Sequence, residues 1–169
     1  MRLYLMRHAD AVPHGTPGYL SDAQRPLTGE GRAQARGVAS GLKRLDVELG
    51  MVLTSPYVRA IQTAEEFIRA WGGRLAIKEL DALRSEVDPK MTSLALKRTD
   101  IDGDLLLVGH EPHLSAWIAE LVSSTSHAHC VMKKAGVACV EIERIPPARG
   151  SGMLRWLMTP KSLMLLGGS

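Results

Sequence analysis

The chain has 169 residues, long enough for one domain with its own core, and a formal charge of only +3. There is no dense Lys/Arg run interleaved with aromatics, and no stretch reaches the roughly 20 apolar residues of a membrane span, so nucleic-acid-binding and membrane-spanning classes are set aside. Its two cysteines, Cys130 and Cys139, form no CxxC pair; they exclude a disulfide scaffold and fit a reducing compartment, so a soluble cytoplasmic protein is expected.

Residues 3–6 are a compact apolar run that reads as a buried strand, and Arg7-His8 cut it too soon for a signal peptide. Residues 11–26, rich in Pro, Gly, Ser and Asp, form a loop. Thr28 caps a helix to about Leu45, with Ala35, Val38, Ala39, Leu42 and Leu45 on its inner face. Residues 51–54 are a second strand. Ser55 then reads as an N-cap and Pro56 as the first helical residue, with Tyr57, Ile61, Ala64, Ile68 and Trp71 inward and Gly72-Gly73 as the stop. Residues 75–77 are a third strand. Asp88-Pro89 opens a helix with Met91, Leu94 and Ala95 inward.

Residues 105–108 form another buried strand, and Pro112 starts a helix with Leu114, Trp117, Ile118 and Leu121 inward. Residues 137–142 and 153–158 are late strands, joined through Pro146-Pro147 and Gly150-Ser151-Gly152. The short apolar tail 162–166 is expected to dock on the body or fray. Strand and helix alternate four times. This predicts an α/β fold: a single domain over 1–169, built as a three-layer sandwich. Its central sheet is mostly parallel, with helices on both faces and late antiparallel strands at one side.

In such sheets ligands bind beyond the carboxyl ends of the strands. Three of those ends carry unusual residues: Arg7-His8-Ala9-Asp10, then Ser55-Pro56-Tyr57-Val58-Arg59, and Gly109-His110-Glu111-Pro112. A neutral imidazole is a nucleophile near neutral pH when its other nitrogen holds the proton. Guanidinium forks match phosphate oxygens, and phosphoryl transfer is catalysed mostly by positioning and electrostatic stabilisation. Two histidines and two arginines at one rim therefore point to phosphoryl chemistry, and a helix start at Ser55 would add N–H donors for an anion.

These residues resemble the signatures of the histidine phosphatase superfamily, the phosphoglycerate mutase-like proteins. Arg7-His8 is similar to its Arg-His motif, Leu27-Thr28-Gly29-Glu30-Gly31 to the following loop and helix start, Ser55-Pro56…Arg59-Ala60…Gln62-Thr63 to its second arginine motif, and Gly109-His110 to its second histidine. The resemblance implies that His8 forms a phosphohistidine intermediate and that Arg7, Arg59 and His110 hold the phosphoryl oxygens. It also suggests substrate contacts at Thr28, Gly29 and Ser55, and at Arg25 unless that residue is a plain loop charge.

Within the superfamily the chain is most similar to the compact SixA-type phosphohistidine phosphatases. It is short, carries Arg7-His8-Ala9-Asp10 and Arg25-Pro26-Leu27-Thr28, and has only the short segment 80–88 where larger branches insert a lid. This implies a phosphate-bearing substrate, with a phosphohistidine signalling domain as a candidate partner, and no cofactor or metal.

The larger branches place a carboxylic acid after the third strand or after the second histidine. Glu111, Asp81 and Glu86 are the candidates here, against a preferred reading of all three as helix-start or loop carboxylates. Asp10 either orients its loop or faces solvent. His110-Glu111-Pro112-His113 lacks the carboxylate or cysteine companions of a metal site, and His127 and His129 near Cys130, in a Ser/Thr-rich loop far from these motifs, read as surface residues. The rival functions are a small-molecule phosphatase or mutase of the same superfamily, and a non-catalytic phosphate-binding module.

Overall fold

The computed structural model describes residues 1–99, 103–123 and 130–168. Six strands form one sheet: β1 (Arg2–Arg7), β2 (Met51–Thr54), β3 (Ala76–Glu79), β4 (Leu105–Gly109), β5 (Val137–Glu141) and β6 (Met153–Met158). Their spatial order is β3-β2-β4-β1-β5-β6. The first four strands run parallel; β5 is antiparallel to β1 and β6 to β5. The helices are α1 (Gly29–Arg44), α2 (Val58–Trp71), α3 (Pro89–Leu96), α4 (His113–Val122) and α5 (Pro160–Gly167). The expected α/β sheet, mostly parallel with late antiparallel strands and helices on both faces, is the observed one.

Side chains alternate across β1, so each face of the sheet has its own core. Tyr4 and Met6 join Val38, Leu42, Ala64, Phe67 and Leu163 under α1, α2 and α5. Leu3 and Leu5 join Leu96, Leu114, Trp117 and Leu121 under α3 and α4. β1 and β4 are buried on both faces, which is why their sequences run apolar without a break. No helix of the described residues is long and apolar enough to cross a membrane.

Several local expectations are corrected. Ser55 is not the N-cap: α2 begins at Val58 after Tyr57, with no side-chain cap, and the Ser55 hydroxyl pairs with His110 Nε2 at 2.8 Å while accepting the Tyr57 N–H at 3.4 Å. The buried residues of α2 are Arg59, Ala60, Thr63, Ala64, Glu66 and Phe67; of the expected face Ala64 is fully buried, while Ile68 and Trp71 pack against the core half-buried and Ile61 is half-buried. The polar members are buried because each is paired. Glu66 alone binds Arg32, Arg36 and Arg69 at 2.7–3.0 Å. Along α3, Thr92 and Leu96 point inward while Met91 and Leu94 are exposed. Thr92 satisfies its hydroxyl on Ala82 O at 2.7 Å, so a polar side chain takes the inner position.

The third strand starts one residue later than expected and ends at Glu79, an exposed edge strand. The apolar tail docks. It forms α5 against α1, where the chains approach so closely that a Cβ on Gly41 would lie 2.1 Å from Leu163 O.

Candidate active site

The strand order decides where the chemistry gathers. β4 lies between β1 and β2, and the parallel register sets Arg7 beside Gly109 and Thr54 beside Val108. His8, Ser55 and His110 are therefore the first residues beyond three adjacent strand ends. The His8 N–H continues the ladder to Gly109 O at 2.9 Å, and the Ser55 N–H does so to Val108 O at 2.9 Å. These side chains emerge at one rim, at the switch point where α/β sheets bind ligands.

The loop after β1 is held from two helices. The Ala9 N–H donates to Thr63 Oγ1 of α2 at 3.0 Å, and the Asp10 N–H donates to Gln34 Oε1 of α1 at 3.2 Å. Asp10 orients the loop rather than facing solvent: its carboxylate accepts from Thr28 Oγ1 at 2.8 Å and from Lys134 Nζ at 2.7 Å. Gln62 receives the Leu27 N–H at 2.8 Å, fixing the approach to α1.

A cleft of about 570 Å³ opens over this rim. His8 lines it and is nearly buried, with Nδ1 2.8 Å from Ala9 O. A carbonyl oxygen only accepts, so Nδ1 carries the proton and Nε2 keeps its lone pair. Burial pushes the His8 imidazole down to about 3, the hydrogen bond to Ala9 opposing and nearby Arg59 and Arg7 adding to it. Burial, then His8 and Arg59, push His110 down to about 2. Both rings are neutral at pH 7, their centroids 5.2 Å apart.

Around them stand the cations. Arg7 donates NH1 to Met132 O at 2.8 Å. Arg59, 4% exposed, donates NH1 and NH2 to Asp22 O and Oδ2 at 2.7 and 2.8 Å and lies over the Tyr57 ring. Among the described residues five buried side-chain polar atoms lack a protein partner, and three of them are Arg7 Nε, Arg59 Nε and His110 Nδ1. A fourth is Glu111 Oε1. Native structures leave few such groups, and these four belong to residues that line one cleft.

Arg7, His8, Arg25, Thr28, Arg59, His110 and Glu111 all line this cleft. Ser55 lies behind it, reaching the site through His110. Gly29 does not line it; it is exposed at the first position of α1. Nor do two of the three acid candidates. Asp81 is exposed and paired with Arg84, and Glu86 accepts from Tyr57 Oη at 2.9–3.0 Å. Only Glu111 reaches the cleft, with Oε2 receiving Ser115 Oγ at 2.6 Å.

Sequence reasoning missed Asp22, Lys134 and His14, which also line the cleft. For Asp22 a signal existed in the acid–base spacing to Arg25, and for Lys134 in the Lys133-Lys134 pair ahead of β5. Among the described residues no three His, Cys, Asp or Glu side chains are grouped to hold a metal ion. His113 is instead set between Val87 O and Thr92 Oγ1. His127 and His129 lie outside the described residues.

The model of the histidine phosphatase superfamily (branch 1) matches residues 3–89. An uncharacterised protein of Picosynechococcus sp. is 33% identical over 138 residues, which is 81% of this chain and 82% of that one. The phosphohistidine phosphatase SixA of Escherichia coli K12 is 29% identical over 167 residues, 98% of each chain. The structure of the protein histidine phosphatase SixA complexed with tungstate matches with a TM-score of 0.81 at 30% identity, covering 96% of this chain and 99% of that one.

Proposed function

Because the chain belongs to the histidine phosphatase superfamily, we propose that it hydrolyses protein phosphohistidine through a covalent phosphoryl intermediate on His8. The observation that carries this reading is the set of unpartnered N–H groups, Arg7 Nε, Arg59 Nε and His110 Nδ1, around an imidazole whose Nε2 lone pair is free. The Tyr57 N–H reaches Ser55 Oγ at 3.4 Å, so the Ser55 hydroxyl is free to donate to His110 Nε2 and leave the ring proton on Nδ1. Three N–H groups of cleft-lining residues are then available to one phosphoryl group, and each is costly to bury unpaired.

The chemistry follows from these groups. His8 Nε2 attacks phosphorus as the bond to the departing imidazole nitrogen breaks, and solvent protonates that nitrogen. Arg7, Arg59 and His110 hold the equatorial oxygens while charge spreads over them. Water then attacks phosphorus on the other side of the His8 N–P bond. Orthophosphate leaves with the water proton passed to solvent, and neutral His8 is restored. Because guanidinium groups supply the positive charge, a chelator is expected to leave turnover unchanged.

A substrate presented on a protein surface suits the cleft wall. Of residues 80–88, where a lid would be inserted, Ser85 alone reaches the lining. The similarity to SixA, a phosphohistidine phosphatase, over nearly the whole chain supports the same class.

One observation favours a second reading, a small-molecule phosphomonoesterase: Glu111 Oε1 lies at the cleft, buried and unpartnered, where it would serve as a proton donor to an alkoxide.

The covalent step is the test. After brief incubation with substrate and a quench that avoids acid, an acid-labile, base-stable phosphate is expected on His8 by mass spectrometry. His8→Ala should lose both the label and turnover while staying folded. Wild-type turnover in that variant would end the mechanism.

A further inference from the structure

One carboxylate sits among the arginines of the cleft. Asp22, in a single 3-10 turn (Asp22–Gln24), accepts from Arg25 Nε at 2.8 Å and Arg25 NH2 at 2.6 Å through Oδ1. Its Oδ2 accepts from Arg59 NH2 at 2.8 Å, and its main-chain oxygen from Arg59 NH1 at 2.7 Å. Both terminal nitrogens of Arg59 thus donate one N–H each to Asp22, and the remaining Arg25 nitrogen goes to Val12 O. Arg59 Nε has no protein partner, and each terminal nitrogen keeps a second N–H.

Asp22 is not sealed away. Its side chain is 37% exposed and lines the cleft. Burial would raise its carboxyl, yet Arg25 and Arg59 hold it below the usual carboxylate range. It is therefore an anion at neutral pH and no proton donor. Two guanidinium groups offering three N–H donors to one planar anion are what a second phosphate or carboxylate of a substrate would need. The protein fills that position with its own side chain.

Resting on the phosphoryl site described above, we infer that Asp22 is a specificity-determining residue. It occupies a two-arginine anion subsite next to the phosphoryl position and so turns away small polyanions. Diphosphates and phosphorylated carboxylic acids would have to place their second charge against Asp22 or displace it from both arginines. A phosphoryl group on an imidazole of a protein carries no such neighbour. Discrimination here works by a repulsive element, not by a contact to the favoured substrate. Asp22 also fixes both terminal nitrogens of Arg59, so it acts on the reacting group only through another side chain.

Calorimetric titration with orthophosphate and with pyrophosphate, free of metal ions, tests the inference on the intact protein. The readout is the affinity for pyrophosphate divided by that for orthophosphate. Asp22→Asn keeps the shape and removes the charge, and it should raise this ratio at least fivefold over wild type. Adding Arg25→Met to Asp22→Asn should return the ratio to the wild-type value. A rise below fivefold, or an equal loss of both anions in Asp22→Asn, overturns the inference. Asp22→Ala serves as a second variant, and if only Asp22→Asn folds the same criterion applies to it alone. Failure of wild type to bind either orthophosphate or tungstate would overturn the phosphoryl site itself, and the inference with it. Binding with unchanged selectivity overturns the inference only.

Discussion

Gly31 and Gly29 stand two residues apart at the start of α1, and the structure predicts opposite outcomes for the same substitution. Alanine is a better helix former than glycine by about 0.8–1.0 kcal/mol. At Gly29 no atom lies within 4 Å of an added Cβ, so Gly29→Ala should be neutral or stabilise by a few tenths of a kcal/mol up to ~1 kcal/mol.

At Gly31 the added Cβ would lie 1.9 Å from Asp10 O, 2.8 Å from Asp10 C and 3.0 Å from Asp10 N. These are backbone atoms and cannot rotate away. Asp10 O is also tied to the Thr28 N–H at 3.0 Å, so the loop cannot slide without breaking the start of α1. Reaching an ordinary contact of 3.4 Å requires about 1.5 Å of movement. Overpacking of this kind costs ~1–3 kcal/mol, and the backbone clash puts Gly31→Ala at the upper end, for a net loss of about 2 kcal/mol after the helix gain.

The displaced residue is two positions from His8. A misplacement of ~1 Å in catalytic geometry costs about 10²-fold, so kcat/KM on p-nitrophenyl phosphate should fall by about that factor. Urea denaturation and steady-state kinetics on both variants check the pair. A Gly31→Ala protein as stable and as active as Gly29→Ala would refute the steric reasoning.

Arg7→Ala, Arg59→Ala and His110→Ala should each lower kcat/KM by ~2.7–4 kcal/mol, and double variants should lose less than the sum because the groups act on one charge; strict additivity would mean they do not share a phosphate. Stability should fall on acidification. His8 and His110 have folded pKa values of about 3 and about 2, below the unfolded value of about 6.5. The unfolded chain therefore takes up more protons as pH drops below 6.5. Between pH 7 and pH 5 this removes about 2 kcal/mol per histidine, ~3–4 kcal/mol together, before the carboxylates titrate; a flat urea midpoint over that range would contradict it. Glu111→Gln should barely alter turnover of phosphohistidine, while wild-type rates fall steeply as leaving-group pKa rises. A large selective loss on alkyl phosphates in Glu111→Gln would make Glu111 the acid, since a positioned acid is worth ~10²–10⁴-fold.

Much of this was legible in the chain itself, and the reason is periodicity. Buried strands such as β1 and β4 must be apolar on both faces, so Leu3–Met6 and Leu105–Val108 identify themselves, and alternation with amphipathic helices implies the parallel sheet. The residues quoted for chemistry sit where those strands end, a position readable without coordinates. Polar residues in the interior were not readable. Arg59, Glu66 and Thr92 broke the apolar pattern of the expected faces of α2 and α3, because a buried charge is stable only with partners. Those partners come from afar in sequence: Asp22 for Arg59, and Arg32 and Arg36 for Glu66. Ser55 reads as a helix cap by local chemistry, yet the strand order sets its hydroxyl 2.8 Å from His110 Nε2. Local propensity and hydrophobic pattern are properties of neighbouring residues, so the sequence by itself determined the elements and their class. Charge pairing and hydrogen-bond commitment depend on distances between segments 30 to 124 residues apart, such as Lys134 on Asp10. Only the tertiary structure decided those.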